Sequence, residues 1–186
     1  LQGTAAEILV DSVREVICPR KIRTAEWVRI IREAHALGIQ TTATIMYGSC
    51  ETAADRIAHL GVLRDIQDET GGFTELVPLP YVYQQTPLFL SGKSRPGPTG
   101  REDLLLHAVS RLFLDNFRNI QVSWGKLGLK MGQMALMAGA NDLSGTMFTD
   151  DVTADAGSGS EGYFDPSLMA CMAADLGRPL RQRSTL

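Results

Sequence analysis

Hydrophobic positions along this chain keep a helical period over long stretches and a strand-like pattern over the short stretches between them. Thr4-Ala-Ala-Glu7 is a capping box, in which the Thr hydroxyl and the Glu carboxylate each satisfy an orphan amide. Leu9, Val13, Val16 and Ile17 then recur at helical spacing, and Pro19 ends that helix. Leu1 to Gly3 reads as the tail of a loop after a strand that precedes the chain. A second helix carries Trp27, Ile30, Ile31, Ala34 and Leu37 on one face and stops at Gly38. Thr41 to Tyr47 is rich in β-branched and bulky residues and reads as a buried strand. Thr52-Ala-Ala-Asp55 caps a third helix with a stripe of Ile57, Leu60, Leu63 and Ile66, ended by Gly71-Gly72. Phe73 to Pro80 is the next strand, with its prolines at the end, where a missing donor is tolerated. Thr99-Gly-Arg-Glu102 opens a helix with Leu105, Ala108, Val109, Leu112 and Phe113. Asn119 to Trp124 alternates Ile120, Val122 and Trp124 as a strand. Leu127, Met131, Met134 and Met137 mark another helix, closed by Gly139, and Ala140 to Met147 forms a short last strand. Asp165-Pro166 is an N-cap with proline at the first helical position, before a helix face of Leu168, Met172 and Leu176. Arg178 to Leu186 is a basic, frayed tail.

Four strands, each separated from the next by a helix, imply parallel strands with crossover helices, an α/β fold. The periodicity does not choose between an open sheet and the second half of an eight-stranded barrel. No dinucleotide-type Gly-rich loop follows any strand, which argues against a Rossmann domain. Tyr81 to Pro98 is a long connection of the length used for lids. The chain divides into a βα body over residues 1–147 and an acidic loop, helix and basic tail over residues 148–186.

Composition narrows the class of function. The chain has 186 residues, 44% hydrophobic and 21% charged, as in an ordinary soluble globular protein. A formal charge of −3 provides no basic field for nucleic acid, and no apolar run is long enough to span a membrane. The chain starts with Leu1 in mid-pattern, which reads as a piece of a longer protein. Cys18, Cys50 and Cys171 are odd in number and widely spaced, which argues against a disulfide framework and fits a reducing cytoplasm.

The chemistry centres on Gly38 to Glu51. Gly48 breaks the strand and Glu51 and Thr52 open the next helix, so Met46-x-Gly48-x-x-Glu51 lies at the carboxyl end of a strand, where α/β folds place ligands. Met46, Tyr47, Gly48 and Glu51 are candidate contacts, weighed evenly against a buried strand and a helix-start carboxylate. Glu51 and Asp142 are expected at the same face, both being strand-end signals. Trp124 and Lys126 lie at another strand end, with core and solvated charge as their ordinary roles. His35, His59 and His107 fall within helices without metal spacing and read as structural. Cys18 and Cys171 read as packing residues, Cys50 as a minority candidate for reactivity, and the methionines from Met131 to Met137 as core.

Several runs, in order, resemble the carboxyl-terminal half of FO synthase, a deazaflavin-forming radical S-adenosylmethionine enzyme. They are Gly-Thr-Ala-Ala-Glu-Ile-Leu at 3–9, Val-Ile-Cys-Pro at 16–19 and Thr-Thr-Ala-Thr-Ile-Met-Tyr-Gly at 41–48. Leu-Arg-Asp-Ile-Gln-Asp-Glu-Thr-Gly-Gly-Phe at 63–73, Pro-Leu-Pro at 78–80 and Gln-Val-Ser-Trp at 121–124 follow. Ala-Gly-Ala-Asn-Asp-Leu-Ser-Gly-Thr at 138–146 and Gly-Arg-Pro-Leu-Arg-Gln-Arg at 177–183 complete the set, which covers nearly the whole chain. Some runs are shared with menaquinone-pathway relatives of the aminofutalosine synthase type.

The resemblance implies the second half of a (β/α)8 TIM-type barrel. It also implies a transferase joining the hydroxybenzyl group of L-tyrosine to 5-amino-6-(D-ribitylamino)uracil. The alternatives are a menaquinone-pathway enzyme and a non-catalytic remnant. Implied cofactors are S-adenosyl-L-methionine and a 4Fe-4S cluster held by a C-x-x-x-C-x-x-C triplet. No cysteines here have that spacing, so the resemblance places the triplet in an amino-terminal half-barrel, which becomes an expected partner. By resemblance, Met46, Tyr47, Gly48 and Glu51 contact the cofactor's adenine, and Asn141, Asp142, Thr146 and Trp124 contact substrate. Ser49 stands where the family usually has His.

Overall fold

The computed structural model describes residues 5–146, 155–157 and 163–183. Two parallel strands, β1 (Thr41–Tyr47) and β2 (Phe73–Pro80), pair in a register that sets Ala43 against Leu76, Met46 against Leu79 and Tyr47 against Pro80. Two further chain passes extend this sheet, each by a single parallel bridge: Leu76 to Ile120, then Gln121 to Asp142. The order is that of successive βα units, but the third and fourth expected strands are reduced to these bridges. The third is cut short because Trp124 already opens a helix. The fourth bends away where the Ser144 N–H donates to Asp142 Oδ1 at 2.7 Å, with Ser144 at a positive φ of 63°.

Helices separate the passes. Helix α1 (Asp11–Ile17) begins at Asp11, not after the expected box at Thr4 to Glu7. Ala5 and Glu7 take positive φ values, and the Arg14 guanidinium, almost fully buried, draws the Ala6 and Ile8 carbonyls and the Ile22 carbonyl to itself. Residues 5–9 therefore lie as an irregular segment along β1, with Met46 N–H donating to the Glu7 carbonyl at 2.9 Å. Helix α2 (Thr24–Ala36) has no side-chain cap of its own; Asp11 accepts from the Thr24 amide and hydroxyl instead. Helix α3 (Ala53–Thr70) and helix α5 (Gly100–Phe113) carry the expected capping boxes at Thr52/Asp55 and Thr99/Glu102, and Gly71 ends α3 in the left-handed conformation.

The connection after β2 contains a short helix α4 (Pro87–Leu90) capped by Thr86. Helices α6 (Trp124–Leu127) and α7 (Leu129–Met137) are parted at Gly128. Helix α8 (Pro166–Asp175) starts at the expected Asp165 cap. The expected strand end at Met147 and most of the acidic 149–162 stretch lie outside the described residues, and no described helix is long and apolar enough to cross a membrane.

The core lies between the sheet and these helices. Ala43, Ile45 and Tyr47 of β1, with Leu76, Ile120 and Val122, meet Leu60, Leu63 and Ile66 of α3. Phe73 stacks on Phe117, and His35 meets it edge-on. Each fully buried Leu or Ile here stabilises the fold by roughly 1.5–3 kcal/mol.

Several expected apolar faces are turned by a position or more. Ile30, Leu37, Ile57, Leu105, Leu112, Met134, Met137 and Leu168 are exposed. On α5 the buried face is instead Asp103, Leu106, His107 and Ser110, because Tyr47 from β1 donates its hydroxyl to Asp103 Oδ1 at 2.7 Å. Cys171 is exposed, not packed.

Candidate functional site

At the carboxyl end of β1 the chain turns at Gly48, whose φ is +95°. A Cβ there would sit 2.3 Å from Pro98 Cδ, so the glycine lets the end of the 81–98 connection lie on the strand end. The carboxylate of Glu51 closes this turn from below. It accepts from the Gly48 amide at 2.6 Å, the Ser49 amide at 2.9 Å and the Ser49 hydroxyl at 3.0 Å. Its side chain is fully buried, and Arg56 completes it through Nε at 2.8 Å. Arg56 also reaches Glu102 at 3.0 Å, and Arg95 grips the same Glu102 with two bonds at 2.6 and 2.8 Å. Arg95 holds the Glu102 carboxyl well below the usual carboxylate range, with Thr99 and Arg56 adding to the effect. With the Arg95 amide on the Ser49 carbonyl at 3.1 Å, the 81–98 connection is fixed to the strand end.

The residues singled out from the sequence therefore part ways. Tyr47 points into the core, under the Arg56 guanidinium, and burial pushes its phenol and the Asp103 carboxyl upward. Gly48 and Glu51 spend their polar groups on each other. Met46, on the opposite face of β1 from Tyr47, opens into a cleft.

That cleft, about 520 Å³, lies over the carboxyl end of β1. Its walls include Glu7 from before α1, Met46 from the end of β1, and Tyr81, Thr86, Ser91 and Lys93 from the connection after β2. Val16, Ile17 and Leu88 supply apolar surface. A neighbouring cleft of about 580 Å³ shares Val16 and Lys93 with it and reaches Cys50. The polar content is a Lys21–Glu7 ion pair, the Tyr81–Thr86 hydroxyl pair and the exposed Lys93. Such a cleft can hold an aromatic or aliphatic body while hydroxyls and a cation orient its polar end. Sequence reasoning passed over Tyr81, Thr86, Lys21 and Lys93; the one available signal was that the 81–98 connection is long.

Asn141, Asp142, Thr146 and Trp124 form no part of this cleft. Asn141 ties Ile120 and Arg111 to its Oδ1 at 2.9 and 2.7 Å. Trp124 is buried against Phe164 and donates its indole N–H to the Gly145 carbonyl at 3.0 Å. Thr146 is half-buried. Asp142 bridges Gln121, the residue after Ile120, and Ile120 bridges Leu76, the register partner of Ala43, so Asp142 lies level with the middle of β1. It belongs to a network with Glu75 and Arg183, separate from that of Glu51. Among the described residues no group of three His, Cys, Asp or Glu side chains could hold a metal ion.

Comparison with known proteins gives this geometry its relatives. The chain is 64% identical over 184 residues to the 5-amino-6-(D-ribitylamino)uracil–L-tyrosine 4-hydroxyphenyl transferase of Methanosphaerula palustris, covering 99% of this chain and 50% of that protein. It is 62% identical over 185 residues to the protein of the same name from Methanoculleus marisnigri, again over 50% of it. It is 45% identical over its whole length to 22% of the FO synthase of Mycobacterium tuberculosis. The chain thus spans about half the length of the first of these relatives. The family described as CofH/MqnC C-terminal region matches residues 70–180, and the chain belongs to that family.

Proposed function

We propose that the protein carrying this chain is a radical S-adenosylmethionine transferase that joins the hydroxybenzyl part of L-tyrosine to 5-amino-6-(D-ribitylamino)uracil in deazaflavin synthesis. This chain would supply the second half of its βα barrel. The observation that carries this reading is the 64% identity, over almost the whole chain, to a relative named for that transfer. The position of the cleft supports it, because parallel βα folds build active sites from the segments that follow their strands.

The iron–sulfur cluster does not fit on the described part of this chain. Cys18, Cys50 and Cys171 are each free, and no three ligating side chains converge. The cluster, and the radical chemistry it supplies with S-adenosylmethionine, are assigned to an amino-terminal half-barrel. What this chain contributes is enclosure and orientation. Met46 presents a thioether to the cleft, and a flat base or ring can pack against it. Glu51, Gly48 and Tyr47 act on the cofactor indirectly by holding Met46 and the strand-end turn in place. The 81–98 connection, bound by Arg95, covers the cleft and keeps water away from a reactive intermediate. Trp124, Asn141, Asp142 and Thr146 stand as candidate substrate contacts of the closed barrel.

The test is anaerobic production of this chain together with a relative's amino-terminal half, followed by incubation with reductant, S-adenosylmethionine, tyrosine and the ribitylaminouracil. Formation of the joined product, identified by mass, is expected. A product derived from a menaquinone-pathway substrate instead would move the chain to the other branch of its family.

A further inference from the structure

The described part of the carboxyl-terminal segment, expected to fray, is held at Arg178 and again at Arg183. Arg178 donates to the Leu136 and Ala140 carbonyls at 2.9 and 3.0 Å, which fixes the root of the segment where α7 ends. Further on, Arg183 pairs with both Glu75 and Asp142. Those two carboxylates come from β2 and from the fourth chain pass, and their side chains are only 7% and 8% exposed. Gln121, from the pass between them, donates to Glu75 Oε2 at 3.4 Å. Among the described residues, the charged groups facing Glu75 are Arg183 and Asp142. Burial pushes the Glu75 carboxyl up, Asp142 adds to the rise, and Arg183 opposes both.

Two nearly buried carboxylates side by side repel each other unless a cation lies between them. A guanidinium suits this task because its planar fork offers Nε to one acid and a terminal nitrogen to the other, which an ammonium cannot copy. The location adds a consequence. Glu75, Val77 and Leu79 share one face of β2, and Leu79 is the register partner of Met46, which opens into the cleft.

We propose that the carboxyl-terminal segment is a strap whose Arg183 is the shared counter-ion of Glu75 and Asp142, and that this contact positions Glu75 on the cleft-bearing face of the sheet. The strap stands on its own geometry; the use of that face by substrate rests on the function proposed above. Arg183 is a positioning residue, acting through Glu75.

The test compares R183M, R183K, E75Q and R183M/E75Q in the chain co-produced with a relative's amino-terminal half, by thermal unfolding and by hydrogen–deuterium exchange over residues 178–183. R183M is expected to lower the Tm by roughly 10 °C and to expose the strap to exchange, with R183K recovering part of the loss. Since E75Q removes one of the two competing charges, R183M/E75Q is expected to lose less than R183M. An unchanged Tm and protection in R183M would overturn the strap, as would R183M and R183M/E75Q being equally destabilised or equally unfolded. In the assembled transferase, R183M should move the acid limb of kcat/KM upward by about one pH unit, and R183K should move it back. An unmoved limb beside the expected thermal result would overturn the positioning role of Glu75. Loss of activity in the unaltered assembly would count against the proposed reaction instead.

Discussion

Glu51 and Glu15 show how far the same residue type can differ in weight. Glu15 pairs with Arg23 at a site where both side chains are more than half exposed. Such a pair is screened by solvent and contributes little, and Glu15→Gln is expected to leave stability nearly unchanged. Glu51 is fully buried and closes the strand-end turn with three donors and Arg56. Glu51→Gln keeps an acceptor but sets an NH2 group against donors and leaves Arg56 partly unpaired. A loss of about 2–4 kcal/mol is expected in urea unfolding. His59 offers a second test at this scale. Its Nδ1 accepts the Leu9 amide at 3.0 Å, and burial lowers its pKa to about 3. The unfolded chain takes up a proton near 6.5 and the folded one does not, so stability falls as pH drops from about 6.5 towards 3. At pH 5 the cost is roughly 2 kcal/mol, at 1.36 kcal/mol per pH unit. His35 and His107 are shifted the same way by burial, so the slope adds. Thermal unfolding at pH 7 and pH 5 measures this, and a His59→Gln variant should lose a large part of the difference. A wild-type Tm that did not fall between pH 7 and pH 5 would show that His59 is not held neutral.

At the scale of elements, Gly48 joins β1 to the 81–98 connection. Gly48→Ala faces both an unfavourable φ and a Cβ placed against Pro98, so the connection must lift. About 2 kcal/mol of stability should go, together with faster proteolysis within residues 81–98. Substrate affinity in the assembled enzyme should fall with it, whereas a change in stability alone would separate the turn from the cleft. What the sequence revealed at this scale follows the range of the forces. The capping boxes at Thr52 and Thr99 were legible because cap and partner lie within one turn. Strands β1 and β2 were legible because β-branched runs end in Gly or Pro. The box at Thr4 misled because Arg14, several positions away, claims the carbonyls that a helix there would use. The buried face of α5 could not be read locally, since Asp103 is drawn inward by Tyr47, 56 positions distant. The strap was hidden for the same reason, with 108 positions between Arg183 and Glu75. Within the site, Met46 was legible from its strand end, whereas Tyr81 and Lys93 belong to no motif and gain meaning only from the cleft they enclose.

For the whole molecule, the decisive quantity is how much of the sheet's hydrogen-bonding edge is left open. Its two outer boundaries are β1, paired on its outer side by the Glu7 carbonyl to Met46, and the single bridge at Asp142. Edges with so few of their backbone groups paired template pairing with another chain. The helix layer adds apolar surface, with Leu112 83%, Leu37 78% and Met137 68% exposed. A closed barrel would join both sheet boundaries to further strands, and relatives about twice as long have chain to supply them. A domain of ordinary stability has only about 5–15 kcal/mol in hand, so two open sheet edges outweigh any single contact described above. The chain alone is therefore expected to self-associate. Co-production with an amino-terminal half from one of the methanogen relatives should raise its soluble yield and its Tm together, because the added strands pair both edges in one step. Sedimentation velocity and thermal unfolding, each with and without that half, provide the measurement. A monodisperse monomer that unfolds cooperatively alone, and gains nothing from the other half, would identify the four-pass sheet as a complete open-sheet domain, and the half-barrel reading would fall.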